Sequence, residues 1–118
     1  MPTREFEAAV GERNGTPFIE LIGDVNATAG KALEAGYAEA IADGPTAVAL
    51  DFARTDYINS SGIAVIVGLL ARTRASKRRL LAYGLSDHYV EIFDITRLSD
   101  FMSVMPDEES AIADASVS

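Results

Sequence analysis

The sequence predicts an α/β fold built around a mixed sheet of four to five strands packed with about four helices. Three observations carry this. Segments of strand character alternate with segments of helical spacing, the chain opens on a hairpin signal, and its most apolar strand segment lacks the polar alternation of a solvent-facing strand.

The elements follow in order. Glu5 to Val10 and Pro17 to Ile22 are short apolar segments flanking Gly11-Glu-Arg-Asn-Gly15, which reads as a hairpin. After Gly23-Asp-Val-Asn26, the residues Ala29, Ala32, Leu33, Gly36, Tyr37, Ala40 and Ile41 recur every three or four positions, one face of an amphipathic helix with Asn26 as its N-cap. Asp43-Gly44-Pro45 stops that helix. Ala47 to Phe52 suits a central strand covered on both faces. Ile63, Ile66, Val67 and Leu70, with Ala64, Val65 and Leu69 alongside, predict a second helix apolar over a wide arc and therefore well buried. Leu80 to Tyr83 reads as an inner strand closed by Gly84. Ser86-Asp87 starts a helix through Val90, Ile92 and Phe93. Phe101 to Met105 reads as a last edge strand, and Pro106-Asp-Glu-Glu opens a final helix with Pro and acids where they favour the dipole.

The chain of 118 residues is read as a single domain over 1–118, with its core at about 4–112 and a frayed tail at 115–118. Apolar residues make up 48% of it, which suits a folded chain. No apolar run reaches the roughly 18–20 residues of a membrane span, and Met1-Pro-Thr-Arg-Glu-Phe-Glu lacks the apolar core of a signal peptide. There is no cysteine, so neither a disulfide framework nor thiolate chemistry exists. A cytoplasmic location is expected. The net charge of -8 argues against nucleic acid or an anionic membrane as the main partner, because both would repel the chain at long range. The basic cluster Arg72, Arg74, Lys77, Arg78 and Arg79 reads as a helix C-terminus followed by a solvated turn, with a partner-contact surface as the alternative.

The stretch Asp56-Tyr-Ile-Asn-Ser-Ser-Gly-Ile63 raises the functional question. Asn59 to Gly62 falls after the central strand Ala47 to Phe52 and a short connection, at the N-terminus of the second helix, the kind of strand-to-helix turn where open α/β sheets gather their ligand and partner sites. Backbone N–H groups are left unpaired there and the positive end of the dipole is exposed. A Ser hydroxyl in that place can be esterified, and the phosphate would be held by those N–H groups. The same residues also read as a plain cap, with Asn59 or Ser60 closing the helix start and Gly62 allowing close packing. The two roles are compatible.

The spacing of Gly23-Asp-Val-Asn26, a regular helix, Ala-Leu-Asp-Phe52 and Tyr-Ile-Asn-Ser-Ser-Gly-Ile63 resembles the STAS domain of bacterial anti-sigma factor antagonists. Leu85-Ser-Asp-His-Tyr-Val-Glu-Ile-Phe-Asp-Ile-Thr96 resembles the third-helix region of that family, and the likeness runs from about Arg4 to Ile112. The resemblance implies partner switching in a stress-response type of transcription control. An unmodified antagonist binds an anti-sigma factor that is also a serine kinase with a histidine-kinase-like ATP fold, and binding releases the sigma factor. The kinase then phosphorylates a Ser in the turn, and a PP2C-type phosphatase resets the system. By position the phosphorylated residue maps to Ser60, with Ser61 as secondary candidate, and Asp24, Asn26, Asn59, Ser60, Ser61 and Gly62 form the partner-binding set. Asn59 and Asn26 stand where the family commonly has acids. Both keep the capping geometry and remove negative charge beside the site. That departure motivates an alternative, a constitutive STAS scaffold or sensor subunit of a stressosome-like or transporter-associated complex that is not phosphorylated. A monomer or weak dimer is expected for the switching protein.

Other chemistry is set aside. His88 is the only histidine and falls at the start of a different helix, with no Gly-x-Ser-x-Gly elbow to pair with. Without Cys, a transition-metal site is not expected. No phosphate-binding glycine loop is present, and no cofactor is expected. Asp51 and Asp56 read as turn residues rather than an acid/base pair. No enzyme is predicted.

Overall fold

Asn14 and Gly15 close the first hairpin. Both take positive φ, 52° and 82°, as a two-residue turn that matches the twist of its strands requires. In the computed structural model, which describes residues 5–115, β1 (Glu7–Arg13) and β2 (Thr16–Val25) run antiparallel on either side of this turn. Gly11, expected in the turn, lies inside β1. The Phe18 ring covers it from across the ladder, and a Cβ there would stand 2.4 Å from that ring.

Asn26 caps a 3₁₀ turn (Ala27–Ala29) rather than the α-helix itself, its side chain accepting the Thr28 N–H at 3.0 Å. The helix α1 (Gly30–Ala40) follows and buries Leu33, Gly36, Tyr37 and Ala40, the face that the spacing predicts. Next come β3 (Ala47–Asp51), β4 (Thr55–Ile58), α2 (Ser60–Ala75), β5 (Arg79–Tyr83) and α3 (Asp87–Ile95). A 3₁₀ turn (Leu98–Asp100), β6 (Ser103–Val104) and α4 (Glu108–Ala115) complete the described residues.

The strands lie in the order β1-β2-β3-β5-β6, with β4 attached to β2. All pairings except the hairpin are parallel. The central place of β3 explains its unbroken apolar run. Val48 and Leu50 enter the larger core with Leu33, Ile66 and Phe93 under α1, α2 and α3, while Ala47 and Ala49 meet Leu81, Tyr83 and Ala111 under α4.

Four further expectations change. The connection after Phe52 contains β4, which pairs with Gly23, Asp24 and Val25, so Asp56 sits in a strand rather than a turn. Asp51 does serve a turn, accepting the Ala53 N–H at 2.9 Å. The last edge strand shrinks to Ser103–Val104, because Leu98–Asp100 coils into a 3₁₀ turn and leaves Phe101 exposed beneath the Arg74 guanidinium. The second helix is only half covered: Ile66, Leu69 and Leu70 are buried, but Ala64, Val67 and Gly68 face outward because, among the described residues, no element crosses that side. The basic cluster is divided. Arg72 and Arg74 occupy the last turn of α2, whereas Arg78 donates to the Pro45 carbonyl at 2.9 Å and Arg79 pairs with Asp114. Ala115 closes α4, and 116–118 of the expected tail lie outside the described residues, as does Arg4 at the other end.

Candidate functional site

The parallel register of β2 and β4 assembles the site. Asp24 lies beside Tyr57 and Val25 beside Ile58, so Asn26 and Asn59 leave the ends of neighbouring strands. The Asn59 N–H donates to the Val25 carbonyl at 3.2 Å and holds the two strand ends together. Segments that are far apart in the chain thereby place Asp24, Asn26 and Asn59 to Gly62 in one patch.

Asn59 is the N-cap of α2. Its backbone is extended (φ −91°, ψ −179°) and its Oδ1 accepts the Gly62 N–H at 2.8 Å. An amide side chain therefore satisfies one of the orphan donors of the first turn. The task of capping thus falls to Asn59 and leaves the two hydroxyls out of it. Ser60 and Ser61 are exposed, and neither hydroxyl has a hydrogen-bond partner among the described residues. Asp24 and Asn26 are half-buried beside them, with the Asn26 Oδ1 engaged by Thr28 through both its N–H and its hydroxyl.

Gly62 has a different place from the other five. It is buried, and a Cβ on it would lie 2.0 Å from the Val25 carbonyl oxygen and 3.2 Å from Ile58 Cγ2. Real side chains do not approach backbone so closely, so only glycine lets the first turn of α2 rest on the end of β2. Gly62 supports the patch from beneath rather than presenting a surface to solvent.

Two residues of this region escape sequence reasoning. Tyr57 is 54% exposed on β4 and flanks Asp24. Thr55, Tyr57 and Ile58 are residue types that favour strands, and they are the signal for it once that segment is read as a strand. Tyr89, on α3, accepts the Ile58 N–H at 2.9 Å through its hydroxyl. That bond satisfies the outer edge of β4 one residue before the cap. It spans 31 residues of chain, and no local pattern encodes it. His88 beside it is exposed and packs edge-on against the Tyr89 ring, at 5.0 Å between centroids, as expected of a surface residue at a helix start. Among the described residues no helix is long and apolar enough to cross a membrane, and no cluster of three or more His, Cys, Asp or Glu could hold a metal ion.

Likeness to known proteins bears on this geometry. The family model described as "Mlab, STAS domain" matches residues 8–106. The anti-sigma-B factor antagonist of Listeria monocytogenes is 32% identical over 87 residues, which cover 73% of this chain and 75% of the relative. BtrV of Bordetella bronchiseptica, provisionally named as an anti-sigma factor antagonist, is 35% identical over 86 residues, with 73% and 72% covered. Among solved structures, the Bacillus cell fate determinant SpoIIAA in its phosphorylated form superposes with a TM-score of 0.65 at 25% identity, covering 92% of this chain and 97% of that one. An anti-sigma factor antagonist from Mycobacterium paratuberculosis reaches a TM-score of 0.73 at 18% identity, with 95% of each chain covered, a likeness of fold.

Proposed function

The chain belongs to the STAS domain family, and from that premise we propose that it is an anti-sigma factor antagonist that works by partner switching, with Ser60 as the modified residue. One observation carries the proposal: an exposed hydroxyl stands at the first residue of α2, beside a cap that does not need it. Its unmodified form docks through Asp24, Asn26, Asn59, Ser60 and Ser61 onto an anti-sigma factor in the cytoplasm and releases the sigma factor. The partner is a serine kinase with a histidine-kinase-like ATP fold, and a PP2C-type phosphatase removes the phosphate. The protein is a binding module, not an enzyme.

The energetics suit a switch. Phosphorylation adds about -1.5 to -2 charge at pH 7. On the open N-terminus of α2 this charge is neutral or favourable by about 0.3–1 kcal/mol, because dipole and free N–H groups face it. In a closed interface the same charge, uncompensated, costs several kcal/mol in desolvation and repulsion. Moving a complex from mostly bound to mostly free needs about 5.5 kcal/mol, which is the same order. The domain tolerates what the interface does not.

The test is incubation of the pure protein with candidate kinases and ATP, followed by mass mapping of modified peptides. Phosphate at Ser60 is expected, with Ser60→Ala unmodified yet still bound by the kinase, and Ser60→Asp bound at least about tenfold more weakly. Equal affinity of the two variants would remove the switch from the account. The second reading, a constitutive scaffold or sensor subunit, draws on Asn26 and Asn59, amides that cap without adding charge. It predicts no phosphate uptake and large, salt-resistant assemblies.

A further inference from the structure

The two ends of the sheet differ. β6 is two residues long and ends one side of the strand order, whereas β1 ends the other with seven residues. An edge of that length presents a row of unpaired backbone groups, which other chains can use as a template unless it is shortened, bent or covered. Among the described residues no strand pairs with it.

Which groups point outward can be read from β2. On that strand the Leu21 carbonyl accepts from Thr55, the Gly23 N–H donates to Arg54, and the Val25 carbonyl accepts from Asn59. Odd-numbered residues of β2 therefore turn toward β3 and β4, and the even-numbered ones, Thr16 to Ile22, turn toward β1. Their register partners Arg13, Gly11, Ala9 and Glu7 turn inward in return, because opposed antiparallel residues alternate between bonded and non-bonded pairs. A two-residue turn closed by Arg13 and Thr16 requires the same parity. The free N–H and C=O groups of β1 thus belong to Ala8, Val10 and Glu12.

The side chains sort independently. Arg13 bonds Glu108 of α4 at 2.6 Å and Gly11 lies under Phe18, so odd residues face the α4 side. Ala8 and Val10 lie 3.5 Å from the position of a Cβ on Gly36, so they face α1.

From these placements we infer that the edge of β1 pairs antiparallel with the β1 of a second copy of this chain, on a two-fold axis through Val10. In that register Val10 meets its own copy and Ala8 meets Glu12, and these outward-turned residues exchange both of their backbone bonds across the axis. The non-bonded pairs are Ala9 with Gly11 and Glu7 with Arg13. The first sets small residues beside the Phe18 ring, and the second sets opposite charges directly across from one another on one face, the arrangement that stabilises a cross-strand pair. Moving the axis by one residue breaks the Glu7–Arg13 pair and shortens the ladder. Overhead, Glu34 faces α2 through Arg72 and Leu33, Gly36 and Tyr37 face the sheet, so the flank of α1 nearest the edge carries Ala32, Ala35 and Glu39, the last lining one groove with Val10 and Glu12. Ala32 and Ala35 leave room for the copy's helix, while the exposed Glu39 adds to the charge that opposes association. Ser60 lies on the opposite flank of β2, at the end of β4, and stays exposed in such a dimer. The inference does not depend on the switching proposal.

The interface is one strand pair, at the low end of specific interfaces in area, and the net charge of -8 per chain opposes association. A weak dimer results, with a dissociation constant on the order of 100 μM at about 0.15 M salt, where charges beyond about 8 Å are screened. Sedimentation equilibrium of the full chain from about 20 μM to 1 mM reads it, with far-UV circular dichroism confirming each variant's fold. Glu7→Arg alone and Arg13→Glu alone each weaken self-association at least about tenfold, because each sets like charges opposite one another. Mixing the two variants in equal amounts restores a heterodimer to within about threefold of the parent, because both cross-strand pairs become opposite in sign. Glu12→Pro removes an outward N–H and also costs about tenfold, while Glu12→Ala leaves the mass distribution unchanged. A wild-type chain that stays monomeric at 1 mM, a mixture that fails to recover, or assemblies larger than a dimer would overturn the inference. A monomer would leave the edge to a strand of another protein.

Discussion

The N-termini of α2 and α3 look alike in sequence, each with a serine beside a second polar residue, yet they are built differently. At α3 the serine is the cap: Ser86 accepts the Tyr89 N–H through its own hydroxyl, at a long 3.4 Å. At α2 an asparagine caps at 2.8 Å and the serine hydroxyls stand apart. Esterifying Ser86 would alter the cap itself, whereas esterifying Ser60 leaves the cap in place. The two starts also differ in support. The first turn of α2 rests on the Val25 carbonyl through Gly62, is tied to β2 by the Asn59 N–H, and has the preceding Ile58 N–H held by Tyr89. A residue can be accessible and its backbone firmly fixed at once, and the switching proposal rests on that combination at Ser60.

Substitutions can break this contrast. Gly62→Ala has the largest expected effect, because its methyl would meet the Val25 carbonyl where neither backbone can yield. A loss of about 3 kcal/mol or more is expected in urea or thermal unfolding. A loss below about 1 kcal/mol would mean that α2 does not rest on β2 as described. Asn59→Ala should cost about 1–2 kcal/mol and Ser86→Ala about 0.5 kcal/mol, since the second bond is the longer one. Equal losses at the two caps would erase the difference between the helices. Tyr89→Phe, which strips the acceptor from the Ile58 N–H, should cost about 1–2 kcal/mol by the same measurement. Ser60→Ala comes last. Its hydroxyl has no partner among the described residues, so stability should stay within about 0.5 kcal/mol of the parent. A larger loss would mean that the Ser60 hydroxyl, and not the Asn59 amide alone, holds the first turn of α2.

Much of this was legible in the chain itself. Residues recurring every three or four positions located α1 and α2, the unbroken run Ala47 to Leu50 located the central strand, and Asn59, Ser86 and the Pro106-Asp107 start marked helix beginnings, with Asp107 accepting the Ser110 N–H at 2.8 Å. These signals are local, because a cap or a periodic stripe acts within a turn or two of the residue that carries it. The tertiary structure alone decided the rest. It made a strand of Thr55–Ile58 by offering the end of β2 as a partner, and it left Ala64, Val67 and Gly68 with no element over them among the described residues. It also brought Tyr89 to Ile58 across 31 residues. A sequence states which side chains would gain from burial or a hydrogen bond, but the partner that supplies it comes from chain packing, and that is settled only when the whole sheet has closed.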